Sequence, residues 1–105
     1  MIDEYMVEIL LRAAMQVPSA ANQQPWEFFV VRNPETKVEL SKLSPYAGSI
    51  ASAPIAIVML ANTKRLTFPD HMEQDMGAAT ENLLLQAAEM NLGAVWLGVA
   101  RIWIA

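Results

Sequence analysis

Apolar residues at Ile2, Met6, Ile9, Leu10 and Ala13 recur at the spacing of one helical face, with Asp3 and Glu4 at the start of the stretch and Arg12 near its end. The pattern predicts an amphipathic helix that stops near Gln16, because Pro18 pushes Val17 toward extended geometry. A polar loop follows. Phe28, Phe29, Val30 and Val31 then form an unbroken aromatic and β-branched run, which predicts a central strand covered on both faces. Asn33-Pro34 has the form of an N-cap followed by proline at the first helical position, and opens a helix in which Val38, Leu40 and Leu43 are expected to turn inward before Pro45.

Tyr46 to Ala53 is rich in small residues and fits a short helix, and Ile55 to Leu60 reads as a second buried strand. Asn62 to Asp70 is expected to be a surface loop. The longest helix should run from about Met72 to Met90, with Met76, Ala79, Leu83, Ala87 and Met90 on one side, and Leu84, Leu85 and Ala88 widening its apolar surface. Asn91 tolerates the left-handed conformation that ends a helix, and Ala94 to Val99 predicts a third strand. The expected order is α-β-α-β-α-β, in one unit spanning residues 1–105.

Composition narrows the function. Hydrophobic residues make up 54% of the chain and charged residues 17%, an apolar surplus that predicts a surface covered by another subunit. A net charge of −4 with scattered Lys and Arg argues against nucleic acid as a partner. The chain has no cysteine and a single histidine, so no disulfide, thiolate metal site or cysteine nucleophile is possible and a histidine-rich metal site is excluded. Acidic residues at the N-terminus and the lack of a membrane-length apolar run lead to the expectation of a cytoplasmic protein without membrane contact.

Nucleotide fingerprints are missing: Gly93 and Gly98 lack the G-x-G-x-x-G spacing, and there is no phosphate-cradling G-x-x-x-x-G-K-[ST] loop. The segment Pro18-Ser19-Ala20-Ala21-Asn22-Gln23-Gln24-Pro25-Trp26 gathers three small residues, one of them carrying a hydroxyl, and three carboxamides between two prolines. Such a loop can direct hydrogen bonds at a planar heteroaromatic ring or a phosphate, each contributing about 1 kcal/mol net. By composition alone an ordinary polar turn is the simpler account.

The pattern P-S-x-x-N-x-Q-P-W entering an apolar strand resembles the most recognisable segment of the FMN-dependent nitroreductase family. Leu11 to Val17, Asn82-Leu83-Leu84-Leu85 with Ala87-Ala88, and Leu92 to Gly98 are similar to further family positions. The resemblance implies an α+β fold: a three-layer α/β/α sandwich, here incomplete, with a mixed sheet and a long interface helix. It also implies a homodimer holding FMN at the subunit interface, with NAD(P)H as reductant. Pro18, Ser19, Ala20 and Asn22 would then approach the flavin ring or ribityl chain, Gln24 would support the loop or the flavin, and backbone groups of Leu97 and Gly98 would lie near its reactive edge. The implied reaction is ping-pong reduction of a nitroaromatic, quinone or similar small-molecule acceptor, with no catalytic side chain and no metal, since the cofactor performs the redox chemistry.

Relative to the family pattern, the chain is expected to be truncated at both ends. It lacks an arginine-rich motif of the type R-R-S-x-R, and Ala100 to Ala105 does not resemble the family's continuation. Arg12, Lys64, Arg65 and Arg101 are the substitutes to consider for the flavin phosphate. The alternative is a non-catalytic remnant that dimerises and binds flavin weakly or not at all.

Other residues have plainer roles. The small residues Gly77, Ala78 and Ala79 suit either close approach of a partner helix or ordinary core packing, and His71 is expected at the surface. Trp26 is expected to anchor the core, as is Trp96, and the methionines to serve as packing. Asp75 and Glu81 are too far apart on a helix to form a carboxylate pair.

Overall fold

The computed structural model describes residues 2–99 and 102–104. Helix α1 (Glu4–Met15) begins where Asp3, in extended geometry, accepts a hydrogen bond from Met6 N at 2.9 Å. A 3-10 turn (Ala20–Asn22) leads to β1 (Trp26–Val31), and α2 (Pro34–Ser41) is capped by Asn33, whose side chain accepts from Thr36 N. Then come α3 (Ser49–Ser52), β2 (Ala56–Ala61), two 3-10 turns (Thr63–Arg65 and Pro69–His71) and α4 (Met72–Glu89). Asn91, at φ 61°, turns the chain out of α4 toward β3 (Leu97–Val99) and β4 (Ile102–Ile104).

The four described strands lie in the order β1-β2-β4-β3 and every ladder between them is antiparallel. Register sorts the side chains. Phe28 pairs with Met59 and Val30 with Ile57 on one face, while Phe29 pairs with Val58 and Val31 with Ala56 on the other. Ile57 and Met59 join Leu10, Ala14, Met76, Ala79 and Leu83 in the main core beneath α1 and α4. Ala56 and Val58 pack with Ala47 and Ile50 in a smaller core under α2 and α3. Helices therefore cover both faces of the sheet, as in a three-layer sandwich. The long helix is tied to α1 by Asn82, whose Nδ2 donates to Ala13 O at 2.6 Å.

Several expectations are corrected. The sheet contains no parallel ladder among the described residues, and β1 is an edge strand rather than a central one. The third strand is confined to Leu97–Val99, with Ala94 to Trp96 irregular, and β4 adds a hairpin in a segment where no strand was expected. In α2, Val38 is exposed, Leu40 packs against the smaller core and Lys37 is the buried residue, while Leu43, past the end of the helix, is also exposed. Trp26 is a core anchor as expected, whereas Trp96 remains 38% exposed and lies on the surface of α4.

A Cβ built on Gly77 would sit 3.4 Å from the ring of Trp96. That is near ordinary contact, and Gly77 has no positive φ. Gly77→Ala should therefore stabilise the protein by about 0.5–1 kcal/mol through helix propensity. A thermal midpoint below the parent's would show that Trp96 cannot yield at this contact. Among the described residues no helix is long and apolar enough to cross a membrane, and no cluster of acidic groups and histidine could hold a metal ion.

Candidate functional site

The loop between α1 and β1 runs through three left-handed residues that are not glycine: Ala21 at φ 49°, Asn22 at 55° and Gln24 at 47°. Backbone held there is disfavoured by about 1 kcal/mol or more per residue and persists only where surrounding contacts impose it. The contacts are visible. Ser19 Oγ accepts from Gln24 N at 3.0 Å, Asn22 N donates to Ser19 O, and Gln24 Nε2 donates to Asn22 Oδ1 at 2.6 Å.

Two residues outside the predicted set hold this loop to the body of the protein. Asp75, 5% exposed, accepts from Ala20 N through Oδ1 at 3.0 Å and from Gln23 Nε2 through Oδ2 at 2.7 Å. Gln23 Nε2 also donates to Phe68 O, and its Oε1 accepts from Thr67 N and Phe68 N. Gln23 was legible only as one amide among three, and Asp75 only as a helix carboxylate too far from Glu81 to pair with it. Sequence order offers no sign that residues 52 positions apart meet.

Pro18, Ser19 and Ala20 line an open cleft of about 360 Å³, shared with Asp75, Gln74 and the exposed His71. Leu97 instead lines a separate, largely apolar cavity of about 350 Å³ with Ile50, Ile57, Leu83, Ala87 and Val95. Asn22, Gln24 and Gly98 line neither cavity, and all three are exposed. Within one chain the predicted residues thus form a loop group and a β3 group rather than one pocket.

The loop group fits the polar half of a flavin. The Nδ2 of Asn22, the carboxamide oxygen of Gln24 and the hydroxyl hydrogen of Ser19 have no partner among the described residues. These are donors and acceptors suited to ring edges and ribityl hydroxyls. For the phosphate half, no lysine or arginine lines the loop cleft among the described residues. Arg12 pairs with Glu8 at 2.7 Å, and Arg65 donates to Trp26 O at 3.1 Å and lies 3.9 Å from Glu27. Lys64 is exposed and forms no ion pair with a described residue, and Arg101 lies outside the described residues.

The model of the nitroreductase family matches residues 1–51 and 45–102. The chain belongs to the nitroreductase family. A protein of Archaeoglobus fulgidus with the provisional name NADH dehydrogenase/NAD(P)H nitroreductase is 43% identical over 99 residues, covering 93% of this chain and 57% of its own length. A similarly named protein of Methanothermobacter thermautotrophicus is 38% identical over 98 residues, covering 93% of this chain and 51% of that protein. The chain thus spans little more than half the length of these curated relatives.

Among solved structures, a provisionally named NADH oxidase of Clostridium acetobutylicum superposes with a TM-score of 0.92 at 43% identity, over 99% of this chain and 75% of that one. A provisionally named nitroreductase of Desulfovibrio desulfuricans, solved in complex with FMN, superposes with a TM-score of 0.87 at 28% identity, over 99% and 73%. These likenesses agree with the α+β nitroreductase fold that the family resemblance implied.

Proposed function

We propose that the chain is part of an FMN-dependent oxidoreductase that acts in the cytoplasm as a homodimer, with α4 at the interface and the flavin at the seam between two copies. The observation that carries this reading is the strained, tethered loop at Pro18–Gln24, which keeps polar groups at its surface without a partner among the described residues. Family membership and the FMN bound to the Desulfovibrio relative support it. So do the exposed Phe29, Leu85 and Val95, apolar area of the kind a second subunit covers.

On this reading Pro18, Ser19, Ala20 and Asn22 meet the ring and ribityl chain, Gln24 supports them, and Leu97 and Gly98 offer backbone groups from β3. The separation of the two groups within one chain is what a site shared by two subunits requires. When bound, FMN supplies the redox chemistry, taking a hydride from NAD(P)H and passing reducing equivalents to an electron-poor acceptor such as a nitroaromatic or quinone in ping-pong order. The protein's residues bind and orient. No side-chain acid or base is assigned.

The test is direct. Purified protein should take up FMN, show a flavin spectrum and oxidise NAD(P)H in the presence of a quinone. A protein that stays colourless after added FMN and leaves NAD(P)H unoxidised would exclude the enzyme. That outcome would favour a flavin-free, dimerising remnant, a reading supported by the lack of a lysine or arginine lining the loop cleft among the described residues and by the open apolar cavity at Leu97.

Asn22→Gly sharpens the test, because glycine keeps φ 55° without strain and removes only the carboxamide. FMN affinity should fall about tenfold, corresponding to the loss of a good hydrogen bond. Equal affinity in fluorescence titration would assign Asn22 to loop structure alone.

A further inference from the structure

We propose that Asp75 and Gln23 are positioning residues: a buried pair that sets the shape of the Pro18–Gln24 loop before any ligand arrives. The proposal rests on the flavin reading of that loop. Asp75 is 5% exposed, yet no cation of the described residues lies within ion-pair distance of it. Both of its oxygens are occupied instead by neutral donors, Ala20 N and Gln23 Nε2. A carboxylate buried without a counter-charge is unfavourable unless other groups stabilise it. Its place in the first turn of the 18-residue α4 supplies the helix's favourable dipole end.

Gln23 is the geometric centre of this arrangement. It alone among residues 21–24 has ordinary right-handed backbone, at φ −71°, while its three neighbours are left-handed. Its carboxamide makes four bonds, to Asp75 Oδ2, Phe68 O, Thr67 N and Phe68 N. Each amide hydrogen and oxygen lone pair is thereby used. The side chain is pinned in one orientation, and Ala20 N is pinned three residues earlier by the same carboxylate. The intervening Ala21 and Asn22 are thus strained between two fixed points, with the Asn22 side chain left exposed for a ligand. The pair also joins the loop to residues 67–68, so that displacement of that segment would be transmitted to the loop.

The donor pattern provides a rescue test. In Asp75→Asn the new amide faces the amide of Gln23, so two donors oppose each other, while Ala20 N can keep its acceptor. Combining it with Gln23→Glu restores a donor–acceptor pair between the two side chains and keeps an acceptor for Thr67 N and Phe68 N, while a carboxylate oxygen replaces the donor that faces Phe68 O and sets two acceptors against each other there. Two readouts are needed: the FMN dissociation constant by quenching of flavin fluorescence, and deuterium exchange of the 18–24 segment in protein without flavin.

Asp75→Asn should weaken FMN about tenfold and raise exchange in residues 18–24, and the double substitution should return both to within about threefold of the parent. Parent-like exchange in Asp75→Asn would overturn the proposal. So would increased exchange throughout the molecule that the second substitution does not repair, since that is the signature of general destabilisation. If the parent itself binds no FMN, the flavin reading fails, and the exchange comparison alone decides whether the pair shapes the loop.

Discussion

Met76→Ala is expected to lower the free energy of unfolding by about 2–5 kcal/mol, the range for truncating a large buried aliphatic side chain. Met76 is fully buried at 0% exposure, on the side of α4 that meets Met59 and Ile57 of β2. Its neighbours are held from several directions. Thr80, one turn along, is itself fully buried, donates to Met76 O at 2.7 Å and lies 3.5 Å from the sulfur of Met59. Collapse into the void is therefore limited, and the upper part of the range is expected.

Met76→Leu should change stability by less than about 1.5 kcal/mol, since it nearly conserves volume. Met15→Ala, at a site 46% exposed, should fall within about 0.5 kcal/mol of the parent. Urea denaturation of the three variants tests this. A loss below about 1 kcal/mol for Met76→Ala would mean that α4 does not seal the main core as described.

The second large effect is expected at Lys37, where alanine should destabilise the protein by about 1–3 kcal/mol. Lys37 is 8% exposed, and its Nζ donates to Ala53 O at 2.7 Å and Pro54 O at 3.3 Å. These bonds clasp α2 to the turn that feeds β2. The helix has little else to hold it, because Val38 is exposed and Leu40 only partly covered.

Burying an ammonium is itself unfavourable, so the net contribution is smaller than two charge-assisted bonds would suggest in isolation. Lys37→Met keeps the apolar stem and removes the donors, and should lose less than alanine does. Denaturation midpoints for both variants decide the matter. Stability equal to the parent in both would mean that the clasp contributes nothing and that packing alone retains α2.

Local pattern accounts for much of what is seen. Asp3 and Asn33 cap helices because a short side-chain acceptor standing before an apolar-periodic run satisfies the open N–H groups at a helix start. Asn91 ends α4 because it tolerates φ 61°. Both long apolar runs became strands, and Met76, Ala79, Leu83 and Ala87 all reached the core. The P-S-x-x-N-x-Q-P-W segment was sufficient to indicate the family, which the family model and the relatives bear out.

The failures share one physical origin. Trp96 was expected in the core because it is large and apolar, but it covers Gly77 from outside, and only the packed helix decides which side it reaches. Burial of Lys37 has no local signal, because nothing in α2 reveals the two carbonyls at Ala53 and Pro54 to which it donates. The edge position of β1 and the antiparallel ladders depend on strand order, which hydrophobic runs do not encode.

What the sequence determined by itself was the main helices, the first two strands, the caps at Asp3, Asn33 and Asn91 and the amide-rich composition of the loop, all of which depend on neighbours a few residues away. Only the tertiary structure decided that Gln23 and Asp75 would meet and hold that loop in left-handed geometry. Hydrogen bonds across 52 residues exist only once α1, β1 and α4 have packed.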